Sequence, residues 1–522
     1  MHRLCPRSSL LTRLVLLAAL ACGAPLPLQA QNHSLPALGD SGSEDLSVAA
    51  ERHLGDRIMQ ELRRDPDVID DPLLLEYVQG IWHTLLGAAR RKGEVTDELD
   101  AHQAWETFLV RDRTVNAFAL PGGYIGVHLG LINLTGSRDE LAAVLAHEQS
   151  HVTQRHIARM IAPNRRQSLL AVASMIVGIM AAARSPEVAN AVIAGGQAAA
   201  MQGQLNFSRD MEREADRVGF GVLATAGFSP AGMTQMFDKL QQASRLNDNQ
   251  QYPYLRSHPL TSERIGEARQ RLGVDFVALP APDAQALRWL HAAMQGRARA
   301  LMDGRNLTLQ RLAAGAAAVP GAGPDALVDA YAGTLAAVRL RDMGAASTGL
   351  ARCLQLARNQ PAALRAVRVL QVEVALAQGR PTEAYQTWHD HLDDGSRPGL
   401  LAGAQAVLGN ARADSEALRA RAEALQTWVA LHPHDAGAWG DLAQAQNRLG
   451  QSLASLRALA EQRLALGDLA GAADRLRAGQ QLARSNGAVD GIEAAVIDAR
   501  LKAVELQRRQ MQQEDRGGNG QP

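Results

Sequence analysis

The chain has 522 residues, enough for two or more domains and for a core that needs no disulfide staples. Lys plus Arg and Asp plus Glu are equal at 54 each, which argues against the broad basic field of a nucleic-acid-binding protein. Aromatic residues make up 4% of the chain and alanine is abundant, as in stacks of helices.

In chain order, the first signal is one of export. Arg3, Arg7 and Arg13 precede an apolar run from Leu14 to Ala21, and a Pro- and Ala-containing stretch follows. This predicts a secretory signal peptide over 1–30, with Leu28-Gln29-Ala30 as the cleavage site and 31–45 as a linker. Ala19-Leu20-Ala21-Cys22 offers a second reading, lipidation at Cys22, but it lacks the usual leucine three before the cysteine. The apolar run is short for a bilayer span. Cleavage after Ala30 removes Cys5 and Cys22 and leaves Cys353, so no internal disulfide is expected and Cys353 reads as a buried packing residue.

Leu120-Pro121-Gly122-Gly123 is a turn signal, and Tyr124 to His128 reads as the strand after it. Gly122, Gly123, Tyr124 and Ile125 are the candidate substrate-binding residues. A strand bordering a cleft can hold an extended peptide through main-chain hydrogen bonds; a purely structural hairpin is compatible with the same residues.

Residues 137–160 are expected to form a single helix, with Ser137 and Glu140 spaced as a capping box and Leu141, Val144, Leu145 and Val152 at helical intervals. Within it, 147–151 read His-Glu-Gln-Ser-His. Positions i and i+4 share a helix face, so His147 and His151 can present two imidazoles to one zinc ion, with Glu148 beside them as general base for a water. A third protein ligand is required. Position 157 is Ile and 154 is Gln, which excludes the metzincin pattern. His156, five beyond His151, is expected to point off the metal face as a surface or structural residue.

Leu169 to Ala183 is an uncharged apolar run, and Ala189 to Ala200 is a second one broken at Gly195-Gly196. They read as a partly buried lid over the site, or as an element touching a membrane from its surface. The helix expected after Ser208 (N-cap), with Gly227 as its stop, places Glu212 and Asp216 on one face. Glu212 is the candidate third ligand. Asp216, one turn on, can hold the non-ligating nitrogen of His147. Ala215 and Gly219 are small enough for close approach to another helix, and Glu214 lies on a different side, solvated or salt-bridged.

Gly273-Val274-Asp275 ends a helix, and Pro280, Pro282 and Asp283 mark a linker over 276–284. Beyond it, patterns rich in Ala, Leu and Arg alternate with turns. Gly344 and Gly379 stand about one tetratricopeptide period apart. Ala384 and Trp388 suit the small and large positions of such a repeat, Pro361 its end, Trp439 and Leu442 a start, and Gly450 and Gly467 turns. The expected architecture is mainly α with a small β element, followed by degenerate tetratricopeptide-like helical pairs over 285–508. Such a stack makes a surface suited to gripping other proteins. The polar, Gly-rich tail, 509–522, is expected to be disordered.

His-Glu-Gln-Ser-His followed by Phe-Ser-Arg-Asp-Met-Glu-Arg-Glu-Ala-Asp resembles the gluzincin zinc peptidases related to the CAAX prenyl peptidases and the HtpX heat-shock peptidase. Residues 116–130 resemble that family's strand and turn before the zinc helix, and 257–265, Ser-His-Pro-Leu-Thr-Ser-Glu-Arg-Ile, its late His-Pro motif. The resemblance covers 46–275 and implies one Zn2+ and hydrolysis of peptide bonds. It places His258 and Arg264 facing the metal, as stabilisers of the oxyanion, or His258 as a ligand that closes the open zinc position and keeps the enzyme latent. With the export signal and the helical arm, it implies a periplasmic endopeptidase for stalled or misassembled outer-membrane β-barrel proteins, the arm contacting the β-barrel assembly machinery. The rival expectation is a chaperone or assembly adaptor in which proteolysis is secondary.

Overall fold

The computed structural model describes residues 46–161, 208–245, 252–273, 283–316, 321–485 and 490–518. The signal segment, the 31–45 linker, the 169–200 apolar runs and nearly all of the 276–284 linker lie outside the described residues.

The first part of the chain wraps helices around one small sheet. Helices α1 (Val48–Leu62), α2 (Pro72–Arg91) and α3 (Asp97–His102) alternate with strands β1 (Val68–Ile69) and β2 (Glu106–Val110). Strands β3 (Ala117–Leu120) and β4 (Tyr124–His128) then form the expected hairpin. Its turn needs backbone that only glycine enters freely: Gly122 and Gly123 have φ of 82° and 79°. The sheet runs β1-β2-β4-β3, with β2 parallel to β4 and the outer pairs antiparallel.

This order corrects the expected peptide-binding strand. Tyr124 and Ile125 pair with Glu106 and Thr107 on one side and with Leu120 and Ala119 on the other. Gly122 and Gly123 give their carbonyls to the N–H groups of Ala104 and Glu106. The main chain of β4 is therefore occupied on both edges, and among the described residues the sheet's free edge beside the zinc-motif helix belongs to β3.

Helices α4 (Leu129–Leu134), α5 (Arg138–Thr153), α6 (His156–Ile161), α7 (Arg209–Thr225), α8 (Ala231–Arg245), α9 (Tyr254–Ser257) and α10 (Ser262–Leu272) complete this part. Ser137 caps α5 by accepting from the Glu140 N–H at 3.2 Å, but Glu140 reaches back to the Gly136 N–H (2.7 Å) rather than to Ser137. The single helix expected over 137–160 is broken. It stops at Thr153, Arg155 takes a left-handed conformation (φ 52°), and α6 sets off in a new direction. Helix α7 starts at the predicted cap, Ser208, whose hydroxyl accepts from the Met211 N–H, and it ends before Gly227 (φ 83°).

The rest is helical: α11 (Ala284–Leu301), α12 (Asn306–Ala316), α13 (Pro324–Leu340), α14 (Met343–Ala357), α15 (Pro361–Ala377), α16 (Pro381–His391), α17 (Arg397–Gly409), α18 (Ser415–Leu431), α19 (Ala436–Arg448), α20 (Ser452–Ala465), α21 (Leu469–Ser485) and α22 (Gly491–Gly518). Most successive helices pack on one another, and α11 and α17 also pack on α2. The chain is thus mainly α with one small sheet, as expected. Gly379, Gly450 and Gly467 sit in turns with φ of 70°, 75° and 74°. Gly344, by contrast, is the second residue of α14, and Pro361 opens α15, so these two do not mark repeat ends. Trp388, Ala384, Trp439 and Leu442 are buried, and so, as predicted, is Cys353, whose thiol burial pushes up to about 12. Helix α22 continues to Gly518, past the point where a disordered tail was expected. Ile497, Leu501 and Val504 anchor its buried face, and Gln, Glu and Arg, good helix formers, extend it.

Candidate metal centre

The site forms where α5 crosses α7. Helix α5 is buried on every side from Leu141 to Val152, which fits a helix enclosed by α2, β3, α7 and α8. The crossing is tight because Gly219 faces the backbone of Ala146 and His147: a Cβ there would lie 3.1 Å from Ala146 O and 3.2 Å from His147 N. That approach brings Glu212, from the first turn of α7, to the two histidines of α5.

His147 Nε2 and His151 Nε2 are 3.0 Å apart, and Glu212 oxygens lie 3.5 Å from each of these nitrogens. His258, from the residue after α9, adds its Nδ1 at 3.3 Å from His147 Nε2 and 2.9 Å from Glu212 Oε1. All four donors are buried, and one ligand atom from each lies within 4.8 Å of the others. Ligands 2.0–2.1 Å from a tetrahedral zinc stand about 3.3 Å apart. These separations and this donor set, imidazole with one carboxylate, fit one zinc ion. The electrostatics agree. Burial alone lowers the pKa of His147, but Asp216 and Glu212 outweigh it and hold the pKa up at about 10. The same carboxylates set a negative field that attracts a metal cation.

The supporting residues fall where the sequence placed them, with one change of role. Asp216 Oδ1 is 2.9 Å from His147 Nδ1, the nitrogen turned away from the cluster. Arg264 does not face an open position. Its Nε and Nη2 grip Asp216 at 2.6 and 2.8 Å, and its Nη1 lies 2.6 Å from Glu212 Oε2 and donates to the Pro259 carbonyl. A guanidinium so committed orients the two acids rather than stabilising an oxyanion. Burial raises the pKa of Asp216, but Arg264 and His147 overcome it, and the net direction is down.

Glu148 is fully buried beside the cluster, 3.5 Å from His258 Nε2, with neither oxygen in a well-formed hydrogen bond among the described residues. Burial raises its pKa, against the opposing charges of His258 and His147. A carboxylate left like this has capacity for a water or a reacting group.

Sequence reasoning missed two participants. Tyr254, buried and one turn before His258, stacks on its ring (centroids 4.6 Å, interplanar 28°). The Tyr254 N–H donates to Val115 O, tying this loop to the segment before β3. The Tyr-x-x-x-His spacing was the available signal. His156, expected to point away, is fully buried, its Nδ1 2.8 Å from His151 Nδ1. The helix break at Arg155 redirects it, and no spacing rule registers that break. Glu214 is salt-bridged, as one of its two expected states, to Arg159 (2.9 Å).

A short sheet beside a buried helix carrying H-E-x-x-H, with a glutamate from a second helix completing the cluster, defines the gluzincin class of metallopeptidase. Residues 87–272 match the family model of peptidase family M48. It is similar to a putative β-barrel assembly-enhancing protease of Vibrio cholerae, 38% identical over 258 residues, or 49% of this chain and 51% of the relative. It is similar also to the β-barrel assembly-enhancing protease of Escherichia coli, 33% identical over 257 residues with the same coverage, 49% and 51%. A mitochondrial metalloendopeptidase, OMA1, of Arabidopsis thaliana is 29% identical over 236 residues, 44% of this chain and 42% of the relative. The chain thus spans about half the length of the curated relatives it matches. No helix among the described residues is long and apolar enough to cross a membrane.

Proposed function

We propose that this protein is a zinc-dependent endopeptidase of the periplasm that cuts misassembled or stalled outer-membrane β-barrel proteins, its helical region binding partners such as the barrel assembly machinery. The observation that carries the peptidase reading is the buried meeting of His147, His151 and Glu212 beside the Glu148 carboxylate, which makes no well-formed hydrogen bond among the described residues. The names of the bacterial relatives support the substrate class.

His147, His151 and Glu212 would hold the zinc, which when bound supplies a Lewis acid for the peptide carbonyl and acidifies a water. Glu148 takes a proton from the attacking water as its oxygen adds to the carbonyl carbon. It then delivers that proton to the amine as the C–N bond breaks. Asp216 and Arg264 keep His147 and Glu212 in place. The substrate lies along β3. His128 N bonds Asn116 O, and antiparallel alternation then turns the main-chain groups of Ala117 and Ala119 to the free edge, where an extended peptide adds as a strand.

The test compares full-length wild type with Glu148→Gln for zinc content and for cleavage of a purified, unfolded outer-membrane β-barrel protein. Both should carry one zinc, and the variant should cut at least about 10²-fold more slowly. Equal rates would refute the role of Glu148; a zinc-loaded wild type that never cuts would refute the enzyme.

The adaptor reading has a specific observation behind it. His258 Nδ1 completes a four-donor group, and a closed tetrahedral shell leaves no position for water. On that reading the resting protein binds without cutting, and His258→Ala cuts faster than wild type. If His258 instead stabilises the oxyanion, His258→Ala slows cleavage by about 10²–10³.

A further inference from the structure

His151 and His147 are held from behind in different ways. Behind His147 stands a carboxylate, Asp216. Behind His151 stands another imidazole: His156 Nδ1 lies 2.8 Å from His151 Nδ1, with the rings crossed at 72°. The far nitrogen of His156, Nε2, is 3.0 Å from Glu214 Oε2, and the same oxygen accepts from Arg159 Nη1 at 2.9 Å.

A straight helix could not make this contact. Five positions on, a side chain stands about 140° round the axis from His151. The chain reaches it through the left-handed Arg155, a conformation that costs a non-glycine residue and persists where surrounding structure enforces it. Here the Arg155 guanidinium is tied to Glu51 (3.4 Å) and to Leu46 O (2.5 Å), both on the segment that opens the domain.

Proton placement follows from the chemistry. If Nε2 of His151 carries a metal, its lone pair is used, and the neutral ring bears its proton on Nδ1. His156 Nδ1, 2.8 Å away, is placed to accept the hydrogen bond of that proton. The proton of His156 consequently sits on Nε2 and is donated to Glu214, which Arg159 holds in place. We infer that His156 is a positioning residue for the metal centre: with Glu214 and Arg159 it fixes the tautomer and ring orientation of His151. This rests on the reading of His151 as a zinc ligand.

The experiment uses the full-length protein at one pH and measures zinc affinity by competition with a chromophoric chelator. It also records the downfield imidazole N–H signals of histidine-labelled, zinc-loaded protein. His156→Phe keeps a ring but offers no acceptor, and His156→Asn restores an acceptor oxygen near the place of Nδ1. The expected result is a ten- to hundredfold loss of zinc affinity in His156→Phe. The hydrogen-bonded His151 N–H signal should disappear with it, and both should be partly recovered in His156→Asn. Should His156→Phe fail to fold, as judged by melting in chelator, Glu214→Leu is read instead and should lose affinity several-fold. Affinity within twofold of wild type, with the His151 signal unmoved, would overturn the inference. A wild type that binds no zinc, or a His151→Ala that binds it normally, would instead sink the underlying metal reading.

Discussion

Asp441 is a buried carboxylate far in sequence from the metal centre, with one oxygen lacking a hydrogen-bond partner among the described residues. Burial first, and then the charge of Asp435, push its pKa from the ordinary 3.8 up to about 7, with Arg397 opposing. An acid with a higher pKa folded than unfolded holds its proton more tightly in the native state. Its neutral form is native below about pH 4 at no cost, and stability drains away as pH rises from there through about 7. Asp441→Asn removes that charge. Thermal melts should show the variant gaining on wild type between pH 5 and pH 8, by on the order of 3 kcal/mol at the upper end. A constant gap across that range would contradict the assignment. At this scale the sequence was most legible where one local rule decides geometry. His147, Glu148 and His151 share a helical turn, and Glu212 and Asp216 share another. His258 and Arg264 were placed by motif, and only their contacts separate a metal-facing imidazole from a guanidinium bound to acids.

Helices α5 and α7 meet closely enough for zinc because neither backbone has bulk between them. Gly219 is the contact point, and the atoms a Cβ would strike are main chain, which cannot swing aside. Gly219→Val should therefore push the helices apart. The expected cost is about 1–3 kcal/mol of stability together with weaker zinc binding, read by melting and by chelator competition. Unchanged zinc affinity would show that the crossing has slack. The sequence flagged Ala215 and Gly219 as small, so this packing was foreseeable. The sheet was not. The pattern of 120–128 announces a strand and a turn, but which of two neighbouring strands keeps a free edge depends on β2, whose parallel pairing with β4 arises from a separate segment of the chain. The break after Thr153 was likewise hidden, because Gln154 and Arg155 are ordinary helix residues and Arg155 turns left-handed only where Glu51 and Leu46 receive it.

In the whole molecule the helical region is no detachable arm. One apolar core runs from Val48 through the zinc helix to Trp289, Tyr331, Leu370 and Ala406. Three arginines of the helical region close on acids at the start of α2. Arg297 binds Asp71 and Glu373, Arg365 binds Glu76, and Arg397 binds Asp70 and Asp435. Asp71 also caps α2 through the Leu74 N–H, so the joint and the helix start share a carboxylate. Further along, Gln60 of α1 donates to Gly467 O. Removing 285–522 would take Trp289 and Met294 out of the shared core, uncover the apolar residues of the first part that belong to it, and strand these acids, so truncation tests stability rather than partner binding. The sharper probe is Arg297→Ala. It leaves Asp71 and Glu373 without their buried partner and should cost about 3–5 kcal/mol, seen as a lower melting midpoint and faster limited proteolysis between the two parts. A melt matching wild type would mean the joint is held by apolar packing alone.

The sequence by itself determined the chemistry: two imidazoles and a base on one helical turn, a carboxylate pair on another, caps and stops at Ser137, Ser208 and Gly227. Those features are local, set by helical periodicity and by which residues tolerate which backbone. The tertiary structure decided what is not local. It selected β3 as the open edge, turned Arg264 onto acids, brought His258 in as a fourth donor, folded His156 behind His151, and fused the helical region to the peptidase core. Each of these is a meeting of segments far apart in the chain, and no spacing rule encodes a meeting whose partner lies on another element.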